Sequence, residues 1–200
     1  MRPELCSDAV KEAAIAIKNA LAEATGASVS IKEDFLYGTM KPAQYEILVG
    51  QTNREESIEA ISDIKYNDYV VTIGGDKLVI NAYTDECITA ATEYVKGILA
   101  NTTTITDADL KTVRAEYAYE TLTIGGIDIK DYTIITSRKS SDLIKAAANE
   151  LQRGIIDACG YYLPIKNENT AEESDKEIII GDTERAASKA VDAEALGKYG

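Results

Sequence analysis

Glu46-Ile47-Leu48-Val49-Gly50-Gln51-Thr52-Asn53-Arg54-Glu55-Glu56-Ser57 returns 131 residues later as Glu177-Ile178-Ile179-Ile180-Gly181-Asp182-Thr183-Glu184-Arg185-Ala186-Ala187-Ser188. Both copies carry an acid, three aliphatic residues, a glycine, Thr-x-Arg and a serine. Three β-branched or leucine residues in a row read as a short buried strand. The glycine ends the strand and allows a tight exit. The polar residues behind it suit a loop that leads into a short helix.

The repeat extends upstream. Asp8-Ala9-Val10-Lys11-Glu12-Ala13-Ala14, running on to Gly26 and Ile31-Lys32, matches Asp142-Leu143-Ile144-Lys145-Ala146-Ala147-Ala148, running on to Gly160 and Ile165-Lys166, 134 residues later. The difference in spacing falls in the polar stretch after Lys32 and Lys166, and length changes belong in loops. A unit of about 100 residues is too long for a solenoid repeat. The chain therefore reads as two tandem copies of one domain: residues 1–100, a linker over 101–127, and a second copy over 128–200.

With 45% hydrophobic and 28% charged residues among 200, the composition is that of ordinary globular protein. No apolar run approaches the roughly 20 residues of a membrane span, so no membrane insertion is expected. Met1-Arg2-Pro3-Glu4 is not followed by the apolar core of a signal peptide; the export signal of an exported parent would lie upstream. A net charge of −13 argues against nucleic acid and anionic lipid as partners, since both call for a basic face. Histidine is absent, which excludes His-based general base catalysis, the Ser-His-Asp triad and His-ligated zinc. Nothing calls for a cofactor or a metal. Cys6, Cys87 and Cys159 are an odd number without a close-spaced pair. They read as free thiols, with a Cys6–Cys87 disulfide as the alternative.

In chain order, Val10, Ala13, Ala14, Ile17, Leu21 and Ala24 form one apolar stripe and predict a helix over 7–25, capped by Ser7 or Asp8 and stopped by Gly26. Val29–Lys32 reads as a strand, 33–44 as a loop with Gly38 and Pro42, 45–49 as the anchor strand and 54–63 as a short helix. Tyr69 to Asn81, with Gly74-Gly75-Asp76 at its centre, reads as a β-hairpin. Thr84 or Asp85 caps a second helix with Ile88, Ala91, Val95 and Ile98 inward. In the linker, Glu116–Thr123 reads as extended and Gly125-Gly126 as a turn. The second copy opens with a strand at Tyr132–Thr136. A helix over 140–159, strands Tyr162–Lys166 and Glu177–Ile180, and a helix over 184–195 come next. One unit is strand, long helix, strand, strand, short helix, hairpin, long helix. The expected fold class is α+β: two tandem two-layer α/β sandwich units, each a small mixed sheet with helices packed on one face. The first copy is expected to lack its opening strand, with Tyr132–Thr136 a candidate to fill that edge. The second is expected to lack the C-terminal hairpin and helix, and to be the less stable.

This order of motifs resembles the non-catalytic domain that precedes the barrel in family 20 glycoside hydrolases, the β-N-acetylhexosaminidases. It is also similar to the N-terminal domain of α-glucuronidases. The residues that carry the resemblance are the opening strand Asp131-Tyr132-Thr133-Ile134-Ile135 and the helix ends Ala24-Thr25-Gly26 and Ala158-Cys159-Gly160. Leu163-Pro164-Ile165, the Ile-Gly-x-Thr-x-Arg strand-loop and the hairpin with its closing helix complete them. The resemblance implies accessory domains of a larger exported bacterial protein, extracellular or at the cell surface, with adjacent domains of the parent and a catalytic barrel as partners. Such a barrel takes about 250 residues, and no catalytic residue carries over to this chain. The alternative from another class is a stand-alone carbohydrate-binding or adhesion module with a glycan as partner.

Arg54 and Arg185 stand at matching positions and are the candidate site residues. Either they clamp a carboxylate or sugar hydroxyl of a ligand, or they hold the post-strand loop through an acid or backbone carbonyls; recurrence in both copies favours the structural role. Glu55-Glu56 and Glu172-Glu173 are the acidic pairs to consider for glycoside cleavage. Glu55 and Glu56 align with Ala186 and Ala187, which favours solvated surface. Tyr117, Tyr119, Tyr161 and Tyr162 could stack on sugar rings or serve packing.

Overall fold

The computed structural model describes residues 1–35, 41–62 and 64–191. The fold is α+β, and the chain divides into two compact units, Met1–Glu116 and Tyr117–Gly200.

Unit one begins its regular structure with α1 (Asp8–Thr25). Ser7 Oγ accepts from Val10 N–H at its start, and Gly26 takes the left-handed conformation (φ 70°) at its end. β1 (Glu46–Val49), α2 (Glu55–Ser62), β2 (Tyr69–Gly74), β3 (Lys77–Ala82), α3 (Asp85–Leu99) and β4 (Lys111–Val113) come after it. The sheet order is β1-β3-β2-β4, with β1 parallel to β3 and the other pairs antiparallel. Leu78, Ile80 and Ala82 of β3 join Ala13, Ile17, Ile88, Ala91 and Val95 in one core under α1 and α3. Lys77 and Asn81, on the alternate face, meet Glu56 and Ser57 of α2. The two long helices therefore lie on one face of the sheet and the short helix on the other.

β4 comes from the stretch expected to be linker. It forms because β2 offers an unpaired edge and because Asp68, fully buried, anchors the two residues directly behind the new strand. The Asp68 carboxylate accepts from Lys65 N–H (2.9 Å), Ala115 N–H (2.8 Å) and the Arg114 guanidinium (3.3 Å). The remainder of 101–127 belongs to unit two from Tyr117 onward. There β5 (Thr123–Ile124) and β6 (Ile127–Asp128) close a hairpin at Gly125-Gly126, and Glu116–Leu122 holds no regular strand.

Unit two continues with β7 (Thr133–Thr136), α4 (Asp142–Cys159), β8 (Ile165–Asn167), β9 (Glu177–Ile180) and α5 (Ala186–Lys189). Its sheet is all parallel, in the order β8-β7-β9. Ser141 and Gly160 (φ 76°) cap α4 as Ser7 and Gly26 cap α1. The short helix ends at Lys189 rather than running to 195, and 192–195 lie outside the described residues, as does Gly38 of the predicted loop. Among the described residues, unit two has no counterpart of β2, β3 and α3.

Two expectations about unit one are corrected. Val29–Lys32 is not a strand, and the opening strand is not wholly missing, because Met1 and Arg2 stand in its place. Met1 N donates to the Ile47 carbonyl (2.8 Å), and Val49 N–H donates to that of Met1 (3.0 Å). Arg2 N–H donates to the Lys32 carbonyl (3.0 Å), and Asp34 N–H to that of Arg2 (3.1 Å). The bridge Arg2↔Glu33 has the same register as Thr136↔Asn167, and Glu168 N–H donates to Thr136 as Asp34 does to Arg2. Two residues carry no periodicity, so only their pairing reveals this role. Tyr132–Thr136 is engaged in its own sheet. The thiols are free: no Cys6–Cys87 disulfide forms, Cys87 donates to the Asn67 carbonyl, and Cys159 is buried.

α2 is tied to the hairpin by the Lys77–Glu56 ion pair, and Gly74 lets the helix approach: a Cβ there would lie 2.8 Å from that of Glu56. The Lys77 hydrogen bond holds the Glu56 carboxyl below its ordinary value. A carboxyl depressed in the folded state contributes stability above its unfolded pKa and loses it as pH falls through the folded value. The wild type is therefore expected to be more stable than Glu56→Gln above pH 4.5, with the difference fading below it. Urea midpoints from pH 7 down to pH 3 check this, and a pH-independent difference would rule out the ion pair as its source.

Candidate functional site

The recurring motif builds the same polar clamp twice. In unit one, Gly50 turns the chain out of β1 at φ 80°, and a Cβ there would lie 2.9 Å from Val10 Cγ1 of α1. Thr52 N–H donates to Ser57 Oγ (3.1 Å), and Ser57 Oγ donates to the Gly50 carbonyl (2.8 Å). Thr52 Oγ1 accepts from Arg54 N–H (3.4 Å). Arg54 then folds back on its own strand: Nε donates to Glu46 Oε2 (3.1 Å) and Nη1 to Asn53 Oδ1 (2.7 Å). The side chains of Arg54 and Glu46 are 7% and 8% exposed, so the pair is desolvated.

Unit two repeats the bonds of the turn and the arginine–glutamate pair, and differs in the arginine's other contacts. Gly181 has φ 84°, with Ile144 Cδ1 2.8 Å from a would-be Cβ. Thr183 N–H donates to Ser188 Oγ (3.0 Å), Ser188 Oγ to the Gly181 carbonyl (3.3 Å), and Arg185 N–H to Thr183 Oγ1 (3.3 Å). Arg185 holds Glu177 with both arms of its fork, Nε to Oε2 (3.0 Å) and Nη2 to Oε1 (3.0 Å), and Nη2 also donates to the Ala171 carbonyl (2.9 Å). In unit one Arg54 Nη2 is buried without an acceptor among the described residues. The counterpart of Ala171 falls within 36–40, outside them.

A second recurring group escaped the sequence reading. Asp34 is 4% exposed; its carboxylate accepts from Glu4 N–H (2.9 Å) and Asn53 N–H (2.8 Å). Glu168, its counterpart in the repeat, accepts from Arg138 N–H (3.4 Å) and Glu184 N–H (2.5 Å). The Glu184 N–H holds the Glu168 carboxyl below its ordinary value. Each carboxylate ties the end of the opening strand to the loop of the clamp. The 134-residue alignment of Asp34 with Glu168 was the available signal, hidden because one is aspartate and the other glutamate.

The other candidates do not converge. Glu55, Glu172 and Glu173 are exposed, and Glu173 reaches only to 4.0 Å from Arg185. Tyr161 packs against the unit-two core, and Tyr117 lies so close over Gly160 that a Cβ added there would run into its ring. Tyr119 and Tyr162 are exposed. Among the described residues no group of three or more His, Cys, Asp or Glu could hold a metal.

Unit one also has a cavity of about 620 Å³ lined by Leu21, Val29, Ile31 and Ile47, with Lys18, Lys32 and Lys41 around it. In unit two the counterparts Ile155, Leu163, Ile165 and Ile178 pack with Ile134 of β7. No family model matches this chain, and no curated protein and no solved structure matches it.

Removing one partner of a buried pair leaves an unpaired charge and costs about 3–5 kcal/mol, whereas an apolar replacement of both is near neutral. Arg54→Met is therefore expected to destabilise by that amount, and Arg54→Met combined with Glu46→Leu to recover most of the loss. Urea unfolding measures both. A single variant as stable as the wild type would show that the pair does not hold the loop.

Proposed function

We propose that this chain is a pair of non-catalytic accessory modules of a larger exported, carbohydrate-active protein, which space or buttress a neighbouring catalytic module. The observation that carries this reading is the use of the shared polar residues. Glu46/Glu177, Thr52/Thr183, Arg54/Arg185, Ser57/Ser188 and Asp34/Glu168 are committed to bonds within their own units. A site duplicated for its chemistry would keep polar groups free to meet substrate. The motif order of the hexosaminidase-associated domain supports the carbohydrate context. The partners would be the adjacent domains of the parent, a catalytic barrel among them, and the location extracellular or at the cell surface. No helix among the described residues is long and apolar enough to cross a membrane.

A second reading, a carbohydrate-binding or adhesion module, is favoured by the exposure of Tyr119 and Tyr162, 59% and 50%. Aromatic faces open to solvent can stack on sugar rings.

The chain is expected to show no hydrolysis of aryl N-acetylhexosaminides or aryl glucuronides. Turnover that survives repurification and disappears on substitution of one acidic residue would overturn the accessory reading. Saturable binding on a glycan array, abolished by Tyr162→Ala, would establish the second reading in its place.

A further inference from the structure

The two units differ in the groove between the first long helix and the segment that follows it. In unit one a cavity of about 610 Å³ opens there, with Ile15, Ile31 and Phe35 as its apolar lining. Ile15 and Phe35 are 50% and 43% exposed. Their counterparts in unit two, 134 residues later, are Asn149 and Asn169, both exposed. The same fold therefore forms with a polar residue at each place, and packing does not require the two large apolar side chains that unit one holds in water. Contiguous apolar surface left exposed in this way marks a binding surface.

Phe35 is also held in a strained backbone. Its φ of 43° makes it the one non-glycine residue in the left-handed region among the described residues, and a bulky side chain is disfavoured in that conformation. Its neighbour fixes it there. Asn53 Nδ2 donates to the Asp34 carbonyl (2.8 Å), and the buried Asp34 carboxylate accepts from the N–H groups of Glu4 (2.9 Å) and Asn53 (2.8 Å). Strain that the surrounding structure maintains is characteristic of functional sites.

The rim of the groove is cationic. Arg2, Lys11 and Lys32 line it together with a single acid, Glu33. Arg2 forms an ion pair with Glu33, and Lys11 one with the exposed Asp8 (2.8 Å). Lys32 is exposed and has no ion pair among the described residues. In a chain of net charge −13, an unpaired cation beside apolar surface favours an anion with an apolar body. The lysines alone do not define the site, because Lys11 and Lys32 recur as Lys145 and Lys166. What unit one adds is the apolar pair, and Arg2 in the place of Thr136.

We infer that this groove binds a small amphipathic monoanion, a carboxylate carried on a hydrocarbon body. The hydrocarbon lies on Ile15, Ile31 and Phe35, and the carboxylate meets the Lys32 ammonium with Lys11 beside it. The cavity is within the range of small-molecule sites, about 300–1,000 Å³. Glu33, the one carboxylate that could receive sugar hydroxyls, is engaged by Arg2, which favours a hydrocarbon over a sugar ring. The site lies within unit one and does not depend on the carbohydrate context.

The test titrates decanoate, kept below its micellar concentration, into the full chain and reads binding by calorimetry. Saturable binding at one site per chain is expected. Acetate, which lacks the hydrocarbon body, and decyltrimethylammonium, which inverts the charge, are expected not to bind. Phe35→Asn and Ile15→Asn install the residues of unit two, and each is expected to weaken decanoate binding about tenfold. Lys32→Gln is expected to weaken it about threefold, as for an exposed ion pair. Phe35→Asn is also expected to melt no lower than the wild type, since asparagine tolerates the left-handed backbone; a purely structural Phe35 would melt lower on substitution. Absence of saturable binding, equal binding of decyltrimethylammonium, or decanoate binding undiminished in both asparagine variants overturns the proposal.

Discussion

A buried ion pair between a strand and the loop that leaves it, Glu46–Arg54 and again Glu177–Arg185, is the constraint around which both units are arranged. Desolvated charge is unfavourable unless it is paired and hydrogen-bonded. The arginine can reach its own strand only if the chain reverses sharply. The positive φ of Gly50 and Gly181 makes that reversal, while their missing Cβ lets α1 and α4 lie against it through Val10 and Ile144. Thr52 and Ser57 then close the turn, and Asp34 fastens it to the end of the opening strand. Glycine, threonine, arginine and serine are thus fixed together, because each satisfies a group that the others bury.

The pair also explains how two units with different neighbouring elements among the described residues share one centre. β1 and β9 each have the clamp at one end and a partner strand on one side, and neither requirement involves the hairpin. What the hairpin and α3 add in unit one is burial on the far side of the strand. Leu48 and Val49 are sealed there, whereas Ile179 and Ile180 stay half open. The clamp sets the local conformation, and the hairpin sets how much apolar surface leaves water.

For function, the instructive feature is where polar groups go. The side chains that recur in both units face one another. The variable ones, such as Tyr162, Glu172 and Glu173, face solvent. An arginine matched across a duplication would ordinarily suggest a ligand site. Here burial and a carboxylate partner within the same strand-loop element favour an internal role for it.

The amino-acid sequence by itself determined the duplication, the long helices with the glycine stop at Gly26, the hairpin at Gly75-Asp76 and the strands of the anchor motif, although the second of these is only half-buried. These rest on short-range rules: apolar spacing, cap chemistry and turn residues all act within a few positions. It also exposed Arg54 and Arg185 by their matched places, though not what they touch. Tertiary structure alone decided that Met1 and Arg2 pair in the place of the opening strand, that Lys111–Val113 extends the first sheet, and that Asp34 and Glu168 do the same work. Each of these depends on a partner tens of residues away. A two- or three-residue strand becomes one only when an edge is there to receive it, and a carboxylate becomes a tie only when two backbone N–H groups are brought within its reach.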